Sequence, residues 1–181
     1  YIQDYWGFIK VKGSNVTTYQ FLNGPFGAQF ENVKLSQLTD PCFQTDVLSA
    51  WTEARGLVAI RGTDLHSLSP KAMVLWARVF GQVDYKKVAA REFCTVEQTP
   101  ILRIGNTRDN NGKINAMFAE VPVLTDKADT QYNPKTRRPI WHTDSTFLKN
   151  PPIGSVFHCK HPPPTGGHTL FADMQGAFSL L

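Results

Sequence analysis

The amino-acid sequence predicts an α+β fold, mainly β-sheet with flanking helices, in a single domain over residues 1–181. Short apolar runs of strand length are separated by turn residues, and two segments between them show helical spacing with a cap at each start. Hydrophobic residues make up 41% of the chain, which is ordinary for a globular domain. This composition argues against a disordered or fibrous protein.

The first third of the chain predicts two strand-like segments followed by a helix. Residues 5–11 have strand character, and the apolar residues 26–30 follow a Gly-Pro turn. Asp40 offers an N-cap and Pro41 suits the first helical position, while apolar residues then recur at helical spacing as far as Gly56. A helix between Asp40 and Gly56 is therefore predicted.

The middle of the chain predicts one more strand, a second helix and a hairpin. Residues 57–60 are a short apolar run, and Ser69 caps a helix that should end near Gly81. Residues 101–106 and 114–118 flank an Asp-Asn-Asn-Gly turn, which predicts two paired strands. Near the C-terminus, an acidic cap precedes apolar residues at helical spacing and predicts a last helix.

The stretch that carries the chemistry is Trp-His-Thr-Asp at residues 141–144. In a β-strand, His142 and Asp144 would point to the same side and Thr143 to the other. An imidazole and a carboxylate that converge in this way are two members of the 2-His-1-carboxylate triad that binds Fe(II) and leaves open coordination positions. The third ligand must come from elsewhere.

The neighbouring histidines are poorer candidates for that third ligand. His158 and His161 follow the motif too closely to fold back as an opposing ligand. His168 alternates with Thr169, so in a strand these two side chains would point to opposite sides.

The residues after the motif make the interpretation more specific. A Pro-Pro pair is followed by a strand-like run at residues 154–159, and Gly166-Gly167 then precede Thr169 and Phe171. This block resembles the taurine dioxygenase-like (TauD/TfdA) family of Fe(II)- and 2-oxoglutarate-dependent dioxygenases. The order of turn, helix, short strand and second helix in the N-terminal part is similar to the same family, so the resemblance covers most of the chain.

The resemblance implies both a fold and an activity. The fold would be a double-stranded β-helix, or jelly roll, of which this chain is an N-terminal part. Fe(II) would be held by His142 and Asp144, and Thr169 would bind the far carboxylate of 2-oxoglutarate with an Arg from beyond Leu181, where the distal His ligand would also lie. The reaction would use O₂, convert 2-oxoglutarate to succinate and CO₂, and hydroxylate a small organic substrate.

The substrate is predicted only in outline. Asn106 and Arg138 fall near positions where relatives contact substrate, and Arg138 would suit an anion, although an exposed loop Arg is the simpler explanation for it. Two alternatives of other classes stay open: a catalytically silent subunit of structural or assembly function that keeps the dioxygenase fold, and a structural site for zinc or another divalent ion. A silent subunit would need neither iron nor His142 and Asp144.

Composition and charge exclude several other classes of protein. The formal charge of +4 is modest and the basic residues are scattered, which argues against a nucleic-acid partner. There is no apolar run long enough to span a membrane. Cys42, Cys94 and Cys159 are odd in number and widely spaced, as expected for reduced thiols in a cytoplasmic or organellar protein. Unpaired strand edges are expected to be covered by further polypeptide or by a second copy in a homo-oligomer.

Overall fold

The computed structural model describes residues 18–84, 94–117, 141–162, 164 and 169–181. Contacts divide the chain into two units, the first made of Tyr1–Gln82 and Asp173–Leu181 and the second of Val83–Ala172. The predicted strand at residues 5–11 lies outside the described residues. None of the helices in the described ranges is both long and apolar enough to cross a membrane.

The first unit contains a small mixed sheet of three strands. Strand β1 (Tyr19–Asn23) pairs antiparallel with β2 (Phe26–Phe30), and β2 pairs in parallel with β3 (Val58–Ile60). The hairpin between β1 and β2 turns at Gly24, which has a φ of 55° that glycine adopts without steric cost. The apolar stretch at residues 26–30 is strand β2, and the strand predicted at residues 57–60 is present, in a sheet compatible with the predicted α+β class.

Helix α1 (Pro41–Glu53) begins where the sequence predicts. The Asp40 side chain accepts a hydrogen bond from the Cys42 amide, and Pro41 occupies the first turn, where its missing N–H costs nothing. Phe43, Val47 and Ala50 lie on one face and are buried. The helix is followed by residues with positive φ, Arg55 at 54° and Gly56 at 86°, which end it.

Helix α2 (Pro70–Ala77) also has the predicted start, since the Ser69 hydroxyl accepts from the Ala72 amide at 3.2 Å. It ends earlier than the predicted boundary near Gly81. The Val79 amide donates to the carbonyl of Trp76 and the Phe80 amide to that of Ala77, so the chain tightens into i→i+3 turns after the helix.

A row of aromatic rings joins the sheet to both helices. Successive centroids lie 5.3 to 6.1 Å apart, a range in which tilted, edge-to-face and offset pairs are all favourable. Phe30 and Phe43 are among the largest fully buried side chains of the described residues. The rings belong, in order of contact, to Tyr19, Phe30, Phe43, Trp76, Phe80 and Trp51.

The second unit contains the predicted turn but not the predicted pair of long strands. Asp109 accepts from the amides of Asn111 and Lys113 and thereby closes the turn. On either side of this turn, the described residues form only isolated β-bridges, at Thr95–Leu102, Ile104–Met117 and Arg108–Ile114. Gly105 has a φ of 122°, which interrupts the extended backbone and explains why residues 101–106 do not form a continuous strand. Phe118, the end of the predicted partner strand, lies outside the described residues.

The contact between β1 and α1 predicts an alkaline limit to stability. The buried Tyr19 hydroxyl donates to Glu53 Oε2 at 2.5 Å, and burial, followed by this hydrogen bond, raises the pKa of Tyr19 from 10.0 to about 12. The folded state therefore favours the neutral phenol. Its contribution is complete below pH 10 and is lost as the pH rises from there through about 12. Denaturant unfolding followed at pH 8 and pH 11 measures this loss.

Variants of Tyr19 and Glu53 should separate the contributions of burial and of the hydrogen bond to the alkaline loss of stability. Tyr19→Phe should cost about 1 kcal/mol at pH 8, because one hydrogen bond is removed, and should show a smaller loss between pH 8 and pH 11. Glu53→Gln keeps an acceptor without the charge, so its alkaline loss should be intermediate. Equal pH dependence in wild type and Tyr19→Phe would contradict the assignment.

Candidate metal centre

The two predicted metal ligands lie next to each other in the second unit. His142 Nε2 is 3.4 Å from Asp144 Oδ1. This distance exceeds the usual range of about 2.7–3.2 Å for an N–H···O hydrogen bond, so the two groups are adjacent without a short hydrogen bond between them. Both side chains are open to solvent, at 47% and 69% exposure.

His142 and Asp144 come together without a strand. The strand predicted around His142 and Asp144 is wrong: residues 141–143 are irregular, residues 144–147 form a turn, and the Leu148 amide donates to the Ser145 carbonyl at 3.1 Å. Ser145 has a φ of 62°, which is incompatible with an extended strand. The strand-like run at residues 154–159 is likewise irregular in the structure. The expected convergence of His142 and Asp144 is nevertheless present.

The pair has the donor types and the separation that one metal ion requires. Imidazole nitrogen and carboxylate oxygen suit Fe(II), and two such donors at about 2.1 Å from an ion in cis positions are about 3.0 Å apart. His142 Nε2 and Asp144 Oδ1, now 3.4 Å apart, would need to move only slightly closer to bind one ion. Within the part of the chain that the structure describes, no group of three or more His, Cys, Asp or Glu side chains could share a metal ion. The pair by itself offers two donors.

The other predicted site residues lie at separate points of the chain. Thr169 is exposed in an irregular segment that precedes helix α3 (Met174–Phe178). Asn106 is exposed and follows Gly105, just before the 109–112 turn. Arg138, the Gly166-Gly167 pair and His168 lie outside the described residues.

The aromatic residues that flank the pair in sequence are unusually open to solvent. Trp141 is 60% exposed and Phe147 is 87% exposed. The pair therefore sits within a segment whose apolar groups are available for contact.

The comparison with known families agrees with the motif. The family model "Taurine catabolism dioxygenase TauD, TfdA family" matches residues 17–181. The chain belongs to the TauD/TfdA family. The family predicted from the Trp-His-Thr-Asp block is thereby confirmed. The match includes His142, Asp144 and Thr169.

Two curated relatives of this TauD/TfdA chain have names that state a co-substrate. The (S)-phenoxypropionate/alpha-ketoglutarate-dioxygenase of Sphingobium herbicidovorans is 30% identical over 160 residues, which are 88% of this chain and 46% of the relative. The alpha-ketoglutarate-dependent sulfonate dioxygenase of Saccharomyces cerevisiae is 25% identical over 155 residues, 86% of this chain and 33% of the relative. The chain thus spans less than half the length of either relative. No solved structure gives a significant match.

One contact near the end of this TauD/TfdA chain was not predicted from the sequence. Asp173 is the N-cap of α3, as expected, but it also forms an ion pair with Arg55, which is 118 residues away. The cap has a local signal in the acidic residue ahead of apolar spacing. The pairing with Arg55 has no such local signal, because nothing around Arg55 in the sequence indicates which distant carboxylate it meets.

Proposed function

We propose that the protein is an Fe(II)- and 2-oxoglutarate-dependent dioxygenase that hydroxylates a small organic substrate. The observation that carries the proposal is the 3.4 Å approach of His142 Nε2 to Asp144 Oδ1 within a TauD/TfdA motif. The alpha-ketoglutarate in the names of both relatives supports the choice of co-substrate.

The residues have distinct parts in this proposal. When bound, Fe(II) with 2-oxoglutarate supplies the oxidation of a substrate C–H bond by O₂, coupled to release of succinate and CO₂. His142 offers a neutral imidazole nitrogen and Asp144 an anionic oxygen, so both must be unprotonated to bind the ion. The Thr169 hydroxyl donates a hydrogen bond to the far carboxylate of 2-oxoglutarate, which has about four lone-pair sites to satisfy.

The fold that we propose around this site is the double-stranded β-helix of the family. The family match over residues 17–181 supports it, and the mixed sheet with flanking helices is compatible with it. In such a fold the residues that complete the metal site and the carboxylate site would be held on strands of two packed sheets.

Metal binding by the pair is tested by anaerobic titration of the natural-length protein with Fe(II) and 2-oxoglutarate, monitored by the weak visible charge-transfer band of the chelate. His142→Ala and Asp144→Ala should each lose the band, because each removes one donor. His161→Ala, an exposed histidine of the same unit, should retain it. No band in a folded wild-type protein would favour the silent structural or assembly subunit instead.

The role of Thr169 predicts a specific defect toward the co-substrate. Thr169→Ala should raise the apparent Kd for 2-oxoglutarate roughly tenfold, since a hydrogen bond to a charged group contributes about 1.5–3 kcal/mol. Thr169→Ser keeps the hydroxyl and should remain within about twofold of wild type. The Fe(II) affinity should be the same in all three proteins. If Thr169→Ala binds 2-oxoglutarate as tightly as wild type, Thr169 does not contact it.

We propose an organic anion as the class of substrate. The two relatives are named for a phenoxypropionate and a sulfonate, which are both anions. Arg138, four residues before His142, could supply the matching positive charge, because guanidinium groups bind carboxylates and sulfonates through paired hydrogen bonds.

The substrate class is tested by succinate release with aryloxyalkanoates and alkyl sulfonates, each compared with its neutral amide. Anions should stimulate turnover more than their amides. Arg138→Ala should raise KM for the anion while leaving KM for 2-oxoglutarate unchanged. Equal stimulation by acids and amides would exclude recognition of charge.

A further inference from the structure

We infer that Arg55, Asp173 and Gly176 form a clamp that fixes the start of α3 to the C-terminal end of α1. The Arg55 guanidinium pairs with Asp173 Oδ2, and the two side chains are only 30% and 24% exposed. All three residues belong to the first unit. The clamp is therefore a partly buried, charge-assisted contact between segments that are distant in sequence.

The two oxygens of Asp173 serve different groups. Oδ1 accepts from the Gly176 amide at 2.8 Å and so caps α3, while Oδ2 meets Arg55. The hydrogen bond from the Gly176 amide, together with the Arg55 guanidinium, holds the pKa of Asp173 below its usual value. The ionised carboxylate has an oxygen for each of the two partners.

The backbone of Arg55 indicates that its side chain is needed at this position. With a φ of 54°, Arg55 adopts the left-handed conformation that favours glycine or asparagine. An arginine in this conformation is strained, and the ion pair with Asp173 offsets that strain.

Gly176, in α3, is likewise a residue type that is unfavourable for its local backbone structure. Glycine is a poor helix former, yet a Cβ at residue 176 would lie 2.7 Å from Arg55 Nη1 and would overlap the Asp173 carboxylate. Both obstacles are side-chain ends, so a larger residue would displace the ion pair without a clash with backbone. The clamp needs the space that glycine leaves.

The attachment of α3 depends on this contact. Asp173 and Gly176 are half-buried, whereas the other residues of 173–181 are exposed. An attachment to which a partly exposed ion pair contributes should weaken as salt screens the charges. The geometry thus predicts that the clamp, at the point where the chain returns to the first unit, is sensitive to salt.

Hydrogen exchange of the peptide covering residues 174–181, measured by mass spectrometry on the natural-length protein, tests the clamp. Exchange in native proteins reports local opening. Arg55→Ala and Asp173→Asn should each speed exchange by about threefold or more; asparagine still caps a helix but carries no charge. Arg61→Ala removes an exposed arginine of the same unit that bonds Gln29, and should leave this peptide unchanged.

The Gly176→Ala variant distinguishes the clamp from an effect of helix propensity alone. Helix propensity alone predicts slower exchange in this variant, whereas displacement of the ion pair predicts faster exchange. Raising NaCl from 0.05 to 0.5 M should speed exchange in wild type and have no effect in Asp173→Asn. Slower exchange in Gly176→Ala, or wild-type exchange in Asp173→Asn, would overturn the inference, and neither result depends on Arg55→Ala folding.

Discussion

The contact between Phe30 and Phe43 is the packing interaction on which the first unit depends. It joins β2 to α1, with ring centroids 5.4 Å apart, and both side chains are fully buried. The third strand, β3, has only three residues, so the sheet is little more than a two-stranded hairpin, which is at best marginally stable without packing against other elements. The helices therefore stabilise the sheet through this pair, and Trp76 extends the same contact to α2.

Helix starts were predictable from the sequence because their cause is local. Asp40, Ser69 and Asp173 each accept a hydrogen bond from an amide two or three residues further on, so a short stretch of sequence contains the whole interaction. The strand predicted around His142 failed for the opposite reason. Ser145 adopts a positive φ that its residue type does not signal, and such a turn depends on surrounding structure.

The candidate site shows the same division between local and distant information. The convergence of His142 and Asp144 was predicted from a strand, but because the two residues are only two apart in sequence, their side chains also meet in the irregular backbone that is present. The partner of Asp173 illustrates the other case. Arg55 lies 118 residues earlier, and only the tertiary fold determines that the two meet.

The exposure of the pair has a consequence for catalysis. Oxidation of a C–H bond requires a site from which water is largely excluded, because open solvent weakens electrostatic control and permits side reactions. His142 and Asp144 are 47% and 69% exposed, so by themselves they could bind an ion but not protect a reaction. The flanking Trp141 and Phe147 are also apolar and exposed, so the segment presents apolar surface close in sequence to the donor pair. For the proposed activity, metal binding and closure of the site are thus separate requirements.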